Sequence, residues 1–146
     1  MGSLVETIKD TRKRAGVLDD CERLIAAEVD DKGGLTGLAV KAAYKSVRSL
    51  RPDMIRSSMD ALLDDFSHQV DPFWVDCQSK GEGPRPYFTR RAADVANALL
   101  QITDQRAHRS QHTVLVRAYG QLRPKAVDYI SAAMPRFADL LQRHAS

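Results

Sequence analysis

The segment at residues 33–52, GGLTGLAVKAAYKSVRSLRP, constrains the fold more than any other part of the chain. On a helical wheel its apolar residues cover well over half of the circumference, and only Lys41, Lys45 and Arg48 form a narrow polar edge. A helix at the protein surface needs an apolar stripe of only about 100°. The segment therefore predicts a largely enclosed, alanine-rich helix at 35–51, with the rest of the chain packed around it.

Helical periodicity continues along the rest of the chain, because apolar residues recur at spacings of three and four and no segment alternates like a strand. We expect Gly16 to end the first helix, residues 78–87 to form a loop, and Pro135 to kink the last helix. Asp71 and Pro72 are expected to open a short aromatic helix. A short first helix is predicted at about 3–14, and further helices are predicted at about 18–31, 53–70, 90–104, 112–122 and 125–144. The sequence predicts an all-α protein, a single compact domain over residues 1–146 with about seven or eight helices.

The tripeptide Leu-Arg-Pro occurs twice, at 50–52 and at 122–124, each time between two predicted helices. The two copies lie 72 residues apart, which is close to half of the chain. One interpretation is an internal duplication of about 1–73 and 74–146. The alternative is that this tripeptide is simply an economical way to join two helices, since the residue before a proline is driven out of helical geometry.

Composition favours a soluble cytoplasmic protein. Apolar residues make up 43% and charged residues 28% of the chain, and no stretch approaches the roughly 18 apolar residues of a membrane span. The first ten residues lack the apolar region of a signal peptide, so Cys21 and Cys77 are expected to be reduced thiols. Cys21 falls on the apolar face of its helix, which indicates a small core residue rather than a reactive thiol.

The net charge of +3 is unevenly distributed, with −2 on residues 1–73 and +5 on residues 74–146. One interpretation is that the two halves neutralise each other within the fold. The other is a basic face for an acidic protein or for nucleic acid, formed by Arg85, Arg90, Arg91, Arg106, Arg109 and Arg117.

Four aromatic residues flank the loop predicted at 78–87, and they too allow two interpretations. As a surface patch they would recognise a partner, and as core residues they would anchor the loop to the domain. The four are Phe73, Trp74, Tyr87 and Phe88.

Candidate metal ligands are incomplete. His108 and His112 have a spacing that can present two imidazoles to one metal, but no third ligand accompanies them. Asp53, Asp60 and Asp64 follow one line of a helix, which displays carboxylates in a row instead of wrapping them around a cation. We therefore expect no metal site and interpret these residues as solvated or paired with nearby cations.

No catalytic constellation is present in the sequence. The glycines at 33–37 lack the Lys-Ser/Thr of a phosphate-binding loop, and no strand precedes them. No serine lies in a nucleophile elbow, and neither cysteine has a histidine close by in sequence. The sequence predicts a protein that is not an enzyme and needs no cofactor.

The order of several motifs supplies further information. An acidic first third is followed by KGGLTGLAVK, LRP, PYFT, ITDQRA and a second LRP. This order resembles a bacterial all-helical family of unknown function and covers nearly the whole chain. The resemblance implies a helical fold, and it implies no activity, cofactor or catalytic residue.

Three functions are compatible with these observations. The first is a non-catalytic helical scaffold that binds another protein, or a second copy of itself, through an amphipathic face. The second is a basic protein associated with nucleic acid, whose binding would weaken steeply with salt. The third is a helical binder of a small apolar ligand, which requires a cavity beside the alanine-rich helix. No membrane partner is expected.

Overall fold

The computed structural model describes residues 3–145, and nearly all of them are helical. No strand occurs among these residues. The prediction of an all-α fold with about seven or eight helices is confirmed, since eight helices accompany the single turn α1. The elements are α1 (Leu4–Thr7), α2 (Thr11–Asp31), α3 (Gly34–Leu50), α4 (Met54–Lys80), α5 (Pro84–Arg90), α6 (Ala92–Arg109), α7 (Thr113–Leu122), a 3₁₀ turn (Arg123–Lys125), α8 (Ala126–Ala132) and α9 (Met134–Ala145).

The most tightly closed part of the core lies where α4, α5, α6 and α9 meet. Tyr87 and Phe88 of α5 are completely buried, with their ring centroids 5.2 Å apart in an edge-to-face arrangement. Phe88 makes a second edge-to-face contact, at 5.8 Å, with Phe137 of α9. Such pairs add to the stabilisation from apolar burial. The short helix α5 therefore occupies the position that the sequence assigned to the helix at 35–51.

The prediction that α3 is enclosed is wrong. Leu35 and Leu38 are 87% and 66% exposed, and only Gly37, Val40 and Ala43 of this helix are buried. The broad apolar arc of the helix consists of two stripes that point in different directions. One stripe packs toward α2, α4 and α7, and the other faces outward. A wheel shows the width of an apolar arc but cannot tell how much of it a neighbour covers.

Asp71 and Pro72 do not open a helix. The helix α4 runs through both of them without a break. Asp71 instead accepts hydrogen bonds from the backbone N–H groups of Leu4, at 2.7 Å, and Val5, at 3.3 Å. These are free donors in the first turn of α1, so the carboxylate caps a helix that is distant in sequence.

Other predicted boundaries shift for local reasons. Gly16 lies inside α2, whose last residue is Asp31. The loop predicted at 78–87 is only residues 81–83 in the structure. The helix α4 continues to Lys80 and is capped by Gly81 in the left-handed conformation, and Pro84 begins α5. Pro135 falls in the first turn of α9, where its missing N–H is not needed, so the last predicted helix is split at Ala133.

The two Leu-Arg-Pro segments adopt different conformations. Arg51 is extended, at φ −156° and ψ 144°, and ends α3 as predicted. Arg123 is helical, at φ −56° and ψ −41°, and begins the 3₁₀ turn. The same tripeptide therefore breaks one helix and continues into another. The internal duplication stays a prediction.

Candidate functional site

A cavity of about 400 Å³, partly open to solvent, lies between the helices and has room for a ligand. Every helix except α5 contributes side chains to its wall. The wall is almost entirely apolar and includes Leu24, Met59, Phe66, Ile130, Phe137 and Leu141. The cavity lies beside the closed core, and from α3 it receives only Val40.

The helix α2 forms one long side of the cavity. Cys21, Ile25 and Val29, which the periodicity of the sequence placed on the apolar face, all line it together with Leu24. These residues are only partly buried, although none of them lies on a polar face. Sequence periodicity identified this face, but it could not show that the opposite wall stands away from it.

Ion pairs on the outer side hold α2 against its neighbours. Arg14 contacts the carboxylates of Asp60, at 2.8 Å, and Asp64, at 3.0 Å, on α4. Arg56 of α4 contacts Asp19 at 2.6 Å. Exposed pairs of this kind contribute little individually. Together they join the outer side of α2 to α4, while Val17 and Leu18 pack into the core.

A polar cluster borders the cavity where α6 meets α7. The hydroxyl of Tyr119 donates to Asp104 and lies 2.7 Å from Oγ1 of Thr103. Arg123 holds the same carboxylate with Nε at 2.9 Å and Nη2 at 3.1 Å. Hydrogen bonds from Arg123 and Tyr119 lower the pKa of Asp104, whereas burial and the bond to Asp104 raise the pKa of Tyr119. Near neutral pH the carboxylate is ionised and the phenol keeps its proton.

A second polar cluster lies near the end of α2. Lys32 approaches Glu28 at 3.2 Å and lies over the ring of Tyr129, 5.9 Å from its centroid. Arg136 of α9 also binds Glu28, and it contacts Asp31 at 2.7 Å. This cluster forms one edge of the cavity wall, to which it contributes Glu28, Lys32 and Tyr129. Its two cations, Lys32 and Arg136, are matched by the carboxylates of Glu28 and Asp31.

A third cluster joins the middle of α2 to the last turn of α9. Asp20 of α2 accepts a hydrogen bond from Arg143 at 2.6 Å and from Arg23 at 2.8 Å, and Nε2 of His144 lies 2.6 Å from it. Burial by itself raises the pKa of Asp20, but the bonds from His144, Arg143 and Arg23 outweigh it, so the net pKa is lowered. His144 also lines the cavity.

The two cysteines are free thiols in different surroundings. Cys77 is fully buried beside α5, and its thiol donates to the carbonyl of Glu82 at 3.3 Å. Cys21 lines the cavity, where burial and the charges of Asp20 and Glu22 raise its pKa to about 12. A thiol with such a pKa is almost entirely protonated at neutral pH, which agrees with the prediction that Cys21 is not a reactive residue.

Most of the arginines proposed for a basic face are paired with carboxylates of this chain. Arg85 makes two bonds of 2.9 Å to Asp139, and Arg90 approaches Glu82 at 2.6 Å. The remaining pairs are Arg91 with Asp94 at 2.9 Å and Arg106 with Asp65 at 3.5 Å.

Two members of the set form no ion pair with a carboxylate among residues 3–145. Arg109 donates to the carbonyl of Gln105 at 3.4 Å. Arg117 is exposed on α7, with no ion pair to any described residue. Four of the six arginines are therefore neutralised by carboxylates of the same chain, as the first interpretation of the charge distribution proposed.

The structure corrects the hypothesis of an aromatic surface patch. Trp74, Tyr87 and Phe88 are core residues with almost no exposed surface, and only Phe73 is partly exposed. The hydroxyl of Tyr87 donates to Asp76 at 2.6 Å, which leaves the ring free to fill the core. The four residues anchor the turn between α4 and α5, as the second interpretation proposed.

The candidate metal ligands lie apart. His108 belongs to α6, which ends at Arg109, whereas His112 precedes α7 after a turn in which Ser110 accepts from its N–H at 3.1 Å. Asp60 and Asp64 are occupied by Arg14, and Asp53 contacts Arg51 at 3.1 Å. Within residues 3–145 no three His, Cys, Asp or Glu side chains converge on a point that could hold a metal.

Residues 4–145 match a family of unknown function, DUF6918. The chain belongs to this family. The match covers the same span that the motif order assigned to an uncharacterised helical family. Comparison with curated proteins and with solved structures finds no match to the chain. In the part of this DUF6918 protein that the structure describes, none of the helices has the length and apolar content to cross a bilayer.

Proposed function

We propose that this DUF6918 protein is a non-catalytic binding protein that holds a small apolar molecule in the cavity beside α2. The observation that carries the proposal is the cavity itself, with about 400 Å³ of space and an almost entirely apolar wall. Ligand sites in proteins are typically concave, mostly apolar and about 300–1,000 Å³ in volume, with a few polar groups at their margins.

The energetics of such a space support an apolar occupant. Water in the cavity gains little from the wall, since apolar side chains offer it few hydrogen-bond partners. An apolar molecule in the same place removes wall area from water, which contributes about 25 cal/mol per Å², and makes van der Waals contacts with the wall.

The dimensions and margins of the cavity define the ligand class. A ligand occupies about 30 Å³ for each non-hydrogen atom, which is the share of a water molecule in the liquid. A cavity of about 400 Å³ therefore has room for on the order of a dozen non-hydrogen atoms or more. The hydroxyls of Thr103 and Tyr119, and the cations Lys32 and Arg123, lie at its polar margins. The expected ligand is an acyl chain or a compact hydrocarbon skeleton that carries at most one small polar group.

The polar clusters support binding in preference to catalysis. A general acid or base works best when its pKa lies near the working pH. At the margin of the cavity, the pKa of Asp104 is lowered and that of Tyr119 is raised, so both move away from neutrality. These groups serve as fixed hydrogen-bond partners. The reduced thiols Cys21 and Cys77 favour the cytoplasm as the place of action.

A titration with Nile red, a neutral apolar fluorophore, tests the proposal. We expect saturable binding with a rise in fluorescence, and competition by long-chain fatty acids. The variant Cys21→Phe places a ring in the cavity and should weaken binding by about tenfold or more. The matched control is Ala93→Phe, which adds the same ring at an exposed position of α6. Absence of saturable binding by the wild type, or equal binding by the two variants, would contradict the proposal.

A further inference from the structure

We propose that the outward face of α3, with the adjoining exposed part of α7, docks on an anionic lipid bilayer. We call this surface the α3–α7 face. The two helices pack against each other along the edge of the domain. The exposed residues that define the surface are Leu35, Leu38, Lys41, Lys45, Val116 and Arg117.

The exposed apolar side chains of the protein are concentrated on this face. Four large apolar residues are exposed in the described structure, and three of them, Leu35, Leu38 and Val116, belong to α3 and α7. Ala39 and Ala42 are exposed beside the leucines at the spacing of one helical face. Clustering of this kind marks an interaction surface, whereas single exposed apolar residues do not.

The charge of this face is uniformly positive. Neither α3 nor α7 contains a single Asp or Glu, and both carry cations. Lys41 and Lys45 form no ion pair with any described residue, and Arg48 lies over the ring of Tyr44 at 5.7 Å. Elsewhere in the molecule most arginines are paired with carboxylates. The α3–α7 face thus lacks an internal counter-charge, which an anionic surface would supply.

The pattern favours a lipid surface over a protein partner. Lysine is depleted at the centres of protein interfaces, whereas helices that lie on membranes combine lysine with leucine. The apolar spacing of α3 also stops at Ala42, since Ser46 and Ser49 take the next positions, and this is too short for a helix–helix seam. A second copy of the chain would bring two positively charged faces together.

The position of the face fits the cavity. Val40 of α3 and Tyr119 and Leu122 of α7 line the cavity from the inner sides of the same two helices. Docking through this face would place α3 and α7, which form part of the cavity wall, against the bilayer, where apolar molecules dissolve. This link rests on the proposed function, but the docking itself does not require an occupied cavity. Docking departs from the sequence-based expectation of no membrane partner, but it requires no spanning helix, because α3 would lie in the interface with Leu35 and Leu38 turned toward the acyl chains.

Sedimentation with vesicles tests the inference. We expect the full chain to bind vesicles of phosphatidylcholine mixed with phosphatidylglycerol at low salt, and to bind pure phosphatidylcholine vesicles much more weakly. Since each lysine near an anionic bilayer contributes about 1 kcal/mol, Lys41→Gln and Lys45→Gln should each weaken binding roughly fivefold. Leu35→Ser with Leu38→Ser should weaken it by about tenfold.

Matched variants separate this role from general effects on charge or folding. Lys13→Gln removes an exposed, unpaired cation from α2, and Val75→Ser removes an apolar residue of α4 that is 56% exposed. Both should bind mixed vesicles like the wild type. The variant Cys21→Phe should also bind normally, so loss of Nile red binding without loss of docking separates the two proposals.

Three results would overturn the docking inference. One is a wild type that stays in solution with mixed vesicles at low salt. Another is equal loss of binding in Lys41→Gln and Lys13→Gln. The third is a stable dimer in sedimentation velocity that Leu38→Ser dissociates, because it would assign the α3–α7 face to a second copy.

Discussion

Two regions of the molecule use the same kinds of residues to opposite effect. Around α5 the apolar side chains close completely, with edge-to-face contacts that join Tyr87, Phe88 and Phe137. Around α2 and α8 apolar side chains surround about 400 Å³ of space. Apolar composition alone therefore does not determine packing density. At α5 the rings meet edge to face, whereas the side chains around the cavity, Phe66 and Cys21 among them, leave space between the helices.

The largest expected effect compares a phenylalanine from each region. Phe88→Ala, in the closed core, should lower the free energy of unfolding by about 3–5 kcal/mol. Phe66→Ala should cost clearly less, because one side of this ring already borders the cavity and makes few contacts there. Urea unfolding of both variants measures the difference. Equal losses would show that the two regions are packed alike.

The next comparison uses the two cysteines. Cys77→Phe should overpack the closed core and lower the free energy of unfolding by about 2–3 kcal/mol or more. Cys21→Phe should change it by less than about 1 kcal/mol, since the added ring enters the cavity. The two variants carry the same substitution, so their melting temperatures in the absence of ligand report the local space. A larger loss for Cys21→Phe would contradict the cavity.

Adjacent alanines of α3 sharpen the comparison between a buried and an exposed stripe on one helix. Ala43 is buried, so Ala43→Leu should lower the free energy of unfolding by about 1–3 kcal/mol. Ala42 is exposed, so Ala42→Leu should change it by no more than about 0.5 kcal/mol. Thermal unfolding distinguishes them. A comparable loss in Ala42→Leu would restore the enclosed helix that the sequence predicted.

The smallest expected effect depends on pH and concerns the cluster around Asp20. Its lowered pKa means that the stabilisation is present above the unfolded value, about 3.9, and disappears as pH falls through the lower folded value. Asp20→Asn should therefore cost on the order of 1 kcal/mol at neutral pH. That cost should vanish under strongly acidic conditions.

Unfolding of wild type and variant at several pH values measures this difference. Asp30→Asn, at an exposed position of the same helix, serves as the control and should match the wild type throughout. A difference between Asp20→Asn and wild type that stayed constant down to acidic pH would exclude the carboxylate charge as its source.

Much of the fold was predictable because helices are encoded locally. The periodicity of apolar residues predicted helix over most of the chain, although α2 and α4 were each predicted as two helices, and Arg51 before Pro52 ended α3 where expected. Predictions from local sequence failed where residues distant in sequence form the contacts that decide the local structure. Asp71 resembled the cap of its own helix, yet it caps α1, and Gly16 resembled a helix end, yet α2 continues through it.

The candidate site could be predicted only in part. The apolar face of α2, with Cys21, Ile25 and Val29, was visible in the sequence. The cavity was not, since its volume depends on the distances between helices, which a pattern on one helix does not specify. The tight aromatic cluster was ambiguous for a related reason. An aromatic ring beside a turn is buried only if another element packs over it. Phe88 is buried because α9 packs over it.

The sequence by itself determined that the chain is all-α, roughly where its helical segments lie, and which faces are apolar. These properties arise from interactions within a few residues. The tertiary structure alone decided that α5 and not α3 is enclosed, that one apolar face borders a cavity, and that Leu35 and Leu38 meet solvent. Enclosure is a property of pairs of helices, and a pattern on one helix does not specify the neighbour that covers it.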